Sequence, residues 1–261
     1  MSDYQERQQT QESQAGLSSL YGQTLMLDKL FSYCPGCGHG IVTRLVAETI
    51  EAMGLRGRTV SVVGIGCGGF SHHYMDIDAI EAMHGRSPSV ATGFKLASPE
   101  NFVFTYQGDG DMSAIGLADL LHAANKGVPI TSLMINNTVF GMTGGQMSPT
   151  SLPGQVTATT QAGRDPHLHG YPILVPEMMR AMPGVKYLAR ETVADAASIR
   201  RAGKSIRKAF ECQEKNLGFA FIEFIVPCPT GLKKSVRDSY DWCKKEMLDY
   251  FQPQVFKDEV E

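Results

Sequence analysis

The chain has 261 residues, 43% of them hydrophobic, and a net charge of −3. That length supports one large or two small α/β domains, and the interspersed acids and bases leave no basic stripe for nucleic acid. Residues 1–16 are polar and Gln-rich, no window approaches the ~20 apolar residues of a membrane span, and six cysteines, three of them in glycine-rich turns, do not make a secreted disulfide framework. A reducing cytoplasm fits these features. Residues 1–16 read as a disordered or partner-docking arm, ahead of a single domain over 17–261.

In chain order, Ile41, Val42, Leu45, Val46, Thr49, Ile50 and Met53 recur at helical spacing. TVSVVGI at 59–65 is a β-branched run ending in glycine. Residues 102–107 form a second expected strand, 117–124 a helix and 130–136 a third strand. A strand at 185–189, a helix over 194–214 and a strand at 219–226 complete the set. The cations at 200–208 line one side of that helix and read as a solvated face. Strands alternating with helices predict an α/β fold, a mostly parallel sheet with helices on both faces. The segment 138–172 holds several Gly, Pro and Thr residues without periodicity, and a loop that long is expected at an active site.

On such sheets ligands sit at the carboxyl ends of strands. The motifs fall there: GCGG at 66–69, GDGD at 108–111, Asn136-Asn137, and Cys228. Asp109 lies in a tight turn, and Asn137 follows after one βαβ crossover. Their oxygens can reach one cation, and Mg2+ takes hard oxygen ligands and bridges to phosphate. Cys34 and Cys37 form a C-x2-C pair in a Pro/Gly loop, with Cys67 and Cys228 at strand ends. Four thiolates suit Zn2+ or a [4Fe–4S] cluster. Without a second C-x2-C pair, scattered third and fourth ligands favour a cluster inside a larger fold. Cys212 and Cys243, in helical and charged stretches, read as free thiols.

These residues carry a family resemblance. YCPGCGHG at 33–40, GIGCGG at 64–69, MHGR at 83–86, ATGFKLA at 91–97, GDGDMSAIG at 108–116, NNTVFGMTGGQMSPT at 136–150 and PCPTG at 227–231 carry it. The chain resembles the β, thiamine-diphosphate-binding, subunit of the 2-oxoacid:ferredoxin oxidoreductases, most closely the 2-oxoisovalerate branch. The resemblance covers nearly everything from residue 30 onward.

What the resemblance implies is as follows. Cys34, Cys37, Cys67 and Cys228 hold a [4Fe–4S] cluster. Asp109 and Asn137 ligate Mg2+ with the backbone carbonyl of Val139. Ile65, Gly66, Cys67 and Gly68 contact thiamine diphosphate, Gly110 and Asp111 its diphosphate, and His84 is a catalytic, cofactor-side histidine. His39 follows the cysteine loop and lines it, while His72 and His73 read as surface turn residues. The implied reaction is oxidative decarboxylation of a 2-oxoacid, with coenzyme A as co-substrate and electrons passing through the cluster to ferredoxin. This chain supplies only the diphosphate half of the cofactor site, and no Glu sits in a motif for the aminopyrimidine. A hetero-oligomer is therefore expected, with an α subunit carrying the pyrimidine half and a γ-type domain.

No Lys or Arg lies in 67–71 or 141–146, and Phe70, Phe140 and Met142 suggest an apolar pocket. That favours a branched-chain acid such as 2-oxoisovalerate over 2-oxoglutarate or pyruvate. Two rivals come from other classes: a non-oxidative thiamine enzyme, and a metal-binding scaffold in which GDG is only a turn.

Overall fold

The computed structural model describes residues 25–27 and 29–260. The expected arm at 1–16 lies outside the described residues. The described chain is built on one seven-stranded sheet. Helix α1 (Gly38–Ala52) leads into β1 (Thr59–Val63), β2 (Asp78–Glu81), α2 (Ser87–Ala97) and β3 (Phe102–Gly108). Then come α3 (Leu117–Lys126), β4 (Thr131–Asn136) and a small hairpin of β5 (Val139–Phe140) and β6 (Gln146–Met147). Short helices α4 (Pro166–His169) and α5 (Val175–Met179) precede β7 (Val185–Thr192), the long α6 (Ala196–Glu214) and β8 (Phe219–Ile225). Three short helices, α7 (Pro229–Leu232), α8 (Val236–Trp242) and α9 (Leu248–Tyr250), lead to the last strand, β9 (Gln254–Asp258).

Strand order is β2-β1-β3-β4-β8-β7-β9. All pairings are parallel except β9, which runs antiparallel to β7 at one edge. The central strands are buried along their length because helices cover both faces. Alternation decides which side chain meets which layer. Phe102, Phe104 and Tyr106 join Leu133, Ile135, Ile222 and Phe224 under α1 and α6. Val103, Met134, Phe219 and Phe221 face the opposite layer with residues of α2, α3 and α5. Each fully buried aromatic contributes about 1.5–3 kcal/mol, and Phe102 packs edge-on to Phe210 of α6 with ring centroids 4.8 Å apart.

The sheet expected from the sequence is present, with differences at its edges. Strand β7 runs to Thr192, three residues beyond the expected end. The strands β2 and β9, both at sheet edges, escaped the pattern because their residues are largely exposed. The cations Arg200, Arg201, Lys204 and Arg207 are exposed along α6, as the periodicity indicated. Helix α6 begins with a capping box, Asp195 accepting from the Ser198 N–H and Ser198 returning to the Asp195 N–H.

Candidate active site

The register lines up four strand ends. Gly108 of β3 pairs with Ile135 of β4, and Asn136 pairs with Ile225 of β8. The segments leaving β1, β3, β4 and β8 therefore emerge side by side. They carry Gly66-Cys67, Asp109-Gly110, Asn137 and Cys228 respectively. The turn after β1 needs Gly66, whose φ of +100° is closed to ordinary side chains. A tight helical turn over Cys67–His73 follows. Gly38 at the start of α1 rests on Val226 so closely that a Cβ would lie 2.3 Å from the valine. That contact sets the Cys34–Cys37 loop against the end of β8.

A cavity of about 110 Å3 opens among these ends. Ile65, Gly66, Cys67, His84, Asp109, Gly110, Asp111, Asn137 and Val139 all line it. Gly68 does not: it is buried against the backbone of Tyr106 and Gln107 in β3. His39, expected only to line the cysteine loop, also lines the cavity. Its ring stacks on Tyr33 at 5.2 Å, its Nδ1 lies 3.3 Å from the Tyr106 hydroxyl, and burial pushes its imidazole down to about 3. The ring is therefore neutral. Phe140 and Met142 line the cavity, whereas Phe70 packs on Tyr33 and His73.

Asp109 is 1% exposed, and burial pushes its carboxyl up to about 6. Its partners are neutral: the hydroxyls of Ser148 and Thr150 and the backbone N–H groups of Gly110 and Asn137. A buried carboxylate surrounded only by neutral donors is costly until a cation reaches it. Asn137 is 4% exposed and its Oδ1 accepts from the Val139 N–H at 3.2 Å. Asp109 and Asn137, with the Val139 carbonyl, would offer hard oxygens of the kind Mg2+ takes.

Asp111 has a different task. One carboxylate oxygen accepts from His84 Nδ1 and from the Gly85 N–H at 2.7 Å, and the other accepts from Gln107 Nε2 at 2.6 Å. Its side chain is thus committed inside the protein, and its backbone is the part left to face a diphosphate. The pairing holds His84, half exposed, by Nδ1 and keeps Nε2 as its outward nitrogen. No local spacing signals that Asp111, Gln107 and His84 meet, since Gln107 is in β3, Asp111 follows β3 and His84 lies in the loop after β2.

Cys34, Cys37, Cys67 and Cys228 stand around the strand ends, and Cys212 and Cys243 lie in apolar clusters apart from them. Burial, and then neighbouring thiols, push Cys37 up to about 12 and Cys228 up to about 11. Cys67 shifts the same way, and Cys34 adds to the rise at all three. Thiols that raise one another are close, yet among the described residues no three His, Cys, Asp or Glu side chains converge on a single ion. The Gly231 N–H donates to Cys228 Sγ at 3.3 Å, and the His39 N–H to Cys37. Cys212 and Cys243 sit fully buried in apolar clusters instead of the charged surroundings expected. His73 is exposed and His72 half-buried, in keeping with a turn.

Comparison with known proteins agrees with this geometry. Residues 64–224 match the family described as thiamine pyrophosphate enzyme, C-terminal TPP binding domain. Ketoisovalerate oxidoreductase subunit VorA of Methanothermobacter thermautotrophicus is 41% identical over 226 residues, 87% of this chain and 47% of the relative. The chain spans about half the length of the VorA relatives it matches. The 2-oxoglutarate synthase subunit KorB of Archaeoglobus fulgidus is 34% identical over 92% of this chain and 88% of its own length. Among solved structures, the 2-oxoglutarate:ferredoxin oxidoreductase from Magnetococcus marinus, with 2-oxoglutarate, coenzyme A and succinyl-CoA bound, aligns with a TM-score of 0.71 at 30% identity. That alignment covers 79% of this chain and 67% of the other. With the strand-end motifs, the fold and these relatives in agreement, the chain belongs to the thiamine-diphosphate-binding subunits of the 2-oxoacid:ferredoxin oxidoreductase family, with a 2-oxoisovalerate-type subunit among its nearest matches.

Proposed function

We propose that this chain is the thiamine-diphosphate subunit of an enzyme that oxidatively decarboxylates a branched-chain 2-oxoacid, 2-oxoisovalerate or a close analogue, in the presence of coenzyme A, and delivers the electrons through a [4Fe–4S] cluster to ferredoxin. The observation that carries this reading is the buried Asp109, left without a cation among neutral donors and facing the same cavity as Cys67. Bound thiamine diphosphate supplies a site that takes up the electron pair released on decarboxylation.

The chain's own residues have distinct parts in this. Asp109, Asn137 and the Val139 carbonyl would hold Mg2+ against the diphosphate, and the backbone of Gly110 and Asp111 would line it. His84, oriented by Asp111, presents Nε2 to the cavity, where it can hold or pass a proton. Cys34, Cys37, Cys67 and Cys228 would hold the cluster, and Cys67 belongs to both the thiol group and the cofactor cavity, which keeps the electron path short. Neutral His39 touches both, lining the cavity and donating its backbone N–H to Cys37.

Substrate preference follows from what the cavity lacks. Its lining contains no Lys or Arg, while Ile65, Val139, Phe140 and Met142 contribute apolar surface. Arg86 pairs with Asp119, and Lys95 lies at the other end of the sheet, donating to the carbonyls of Pro99 and Asn101 just ahead of β3. A distal carboxylate buried here without a partner would cost several kcal/mol, whereas a branched alkyl group gains about 1.5–3 kcal/mol. Ile65 and Met142 at the cavity, with Met83 and Ile115 beside the His84–Gly85 loop, are exposed. This supports a partner α subunit, carrying the pyrimidine half and a γ-type domain, that covers this side.

The test uses the assembled complex with coenzyme A and a viologen acceptor. Initial rates at equal low concentration should favour 2-oxoisovalerate over 2-oxoglutarate by orders of magnitude in kcat/KM. The reverse preference would overturn the substrate assignment, and no reduction of the acceptor with any 2-oxoacid would overturn the oxidative reading.

A further inference from the structure

Residues 148–164 form a loop with no strand or helix, yet most of its polar side chains are buried. Ser148, Thr150 and Ser151 are wholly covered, and Gln155 and Arg164 nearly so. Loops normally keep to the surface because their backbone groups need water. Here the Arg164 guanidinium takes the place of water. It donates to the carbonyls of Gly170 at 2.9 Å, Pro149 at 3.1 Å, His169 at 3.3 Å and Ser148 at 3.4 Å, and to that of Ser151.

The loop fixed in this way makes two sets of contacts, one with the proposed cation donor Asp109 and one with Thr138, which lies between the other two donors. Ser148 Oγ, at 2.7 Å, and Thr150 Oγ1 both donate to one oxygen of Asp109. Ser151 Oγ and Gln155 Nε2 both donate to the Thr138 carbonyl, and Gln155 Nε2 also donates to Thr138 Oγ1 at 3.1 Å. Gln155 is itself fixed, its Oε1 accepting from the Leu152 N–H at 2.8 Å. Thr138 is the residue between Asn137 and Val139, and its φ is +63°. A β-branched side chain in the left-handed region is strained and persists only where its surroundings over-determine it. From below, Asn136 Oδ1 accepts the Thr138 N–H at 3.1 Å, and Asn136 Nδ2 donates to the buried Glu223 at 2.7 Å. The backbone twist at Thr138 sets how Asn137 and Val139 stand relative to one another.

We propose that residues 148–164 are a fixed brace for the divalent cation: Ser148 and Thr150 hold Asp109, Ser151 and Gln155 lock Thr138 in its left-handed form, and Arg164 ties the loop together. The inference rests on reading Asp109, Asn137 and Val139 as the Mg2+ donors. Ser148, Thr150 and Gln155 are positioning residues on this account. A rigid donor set favours Mg2+, which demands short, near-octahedral bonds, over Ca2+, which accepts looser arrangements. The brace is therefore a selectivity device as well as a source of affinity.

The experiment titrates thiamine diphosphate retention by the chelator-treated assembled complex with Mg2+ and, separately, with Ca2+. The variants are Thr150→Val, which removes one hydroxyl at nearly constant shape, and Gln155→Met, which removes the amide. The Mg2+ half-saturation point should rise about tenfold in each, in the range for partners that orient metal ligands, while that for Ca2+ moves much less. Iron content and circular dichroism check that the fold is intact, and Ser148→Ala stands in for either variant that fails to assemble. Asp109→Asn separates the two levels of inference. If it leaves Mg2+-dependent retention unchanged, the metal reading itself falls. If it abolishes retention while the other variants keep both their half-saturation points and their Mg2+/Ca2+ ratio, only the brace is overturned. An equal rise for both ions, the mark of a generally loosened fold, also overturns it.

Discussion

Two carboxylates are buried on either side of β4, and folding has treated them differently. Glu223, in the middle of β8, is 0% exposed, and Asp109, just past β3, is 1% exposed. Burial pushes both carboxyls up. Glu223 meets Arg190, which is held on its other side by two 2.8 Å bonds to Glu177 and lies over the rings of Phe251 and Phe256. Asp109 meets only hydroxyls and amides. A buried charge that the chain has matched is finished structure. One that the chain has left unmatched is a place prepared for something else.

The largest effect should come from breaking the matched case. Arg190→Met leaves Glu223 without its cation and should cost about 3–5 kcal/mol in urea unfolding. Asp109→Asn should go the other way in protein free of metal and cofactor, raising stability by on the order of 1–3 kcal/mol as an uncompensated charge disappears, while Mg2+-dependent cofactor retention is lost. If Asp109→Asn instead destabilises as Arg190→Met does and retains the cofactor, Asp109 is structural and the contrast collapses.

The cysteines sharpen the same contrast at a smaller scale. Cys67→Ser should deplete iron and acid-labile sulfide and also weaken cofactor binding, because Cys67 faces both places. Cys212→Ser puts a hydroxyl into an apolar cluster, costing about 1–3 kcal/mol of stability with iron unchanged. Iron lost from the Cys212 or Cys243 variants but kept in Cys228→Ser would overturn the choice of fourth thiol.

The smallest effect concerns a carboxylate at the surface. The Ser198 N–H holds the Asp195 carboxyl below its usual range. The folded value lies below the unfolded one, so the stabilisation is present above about pH 4 and is lost as pH falls through the folded value. Asp195→Ala should therefore cost about 1 kcal/mol at pH 7 and progressively less in acid. A gap in thermal stability that does not shrink below pH 4 would show that the cap acts through shape and not through charge.

The motifs at 66–69, 108–111 and 136–137 were legible because strand periodicity places each at a carboxyl end and parallel topology gathers such ends. Asp109 and Asn137 follow from that rule alone. Asp111 is harder to read, since its commitment to His84 and Gln107 depends on where the loop after β2 lands, and no local spacing encodes that. Ser148, Thr150, Gln155 and Arg164 were invisible for a similar reason. Small polar residues in an aperiodic stretch look like solvated loop, and only their tertiary partners show that they are buried. The expected active-site loop is indeed at the site, but as an inward-facing support. Gly68 and Phe70 do not line the cavity, because the turn over Cys67–His73 presses the Gly68 backbone against β3 and packs Phe70 on Tyr33 and His73.

The four thiols lie at opposite ends of the chain, Cys34 ahead of α1 and Cys228 after β8, and β8 is inserted between β4 and β7. A central parallel strand cannot pair until its crossover helix is complete, and closing so long a loop carries an entropic penalty that slows folding. During synthesis the first three thiols are made early and wait for the fourth. The set is complete only once the last parallel strand has entered the sheet. Anything that needs all four sulfurs is a late arrival in the life of this chain.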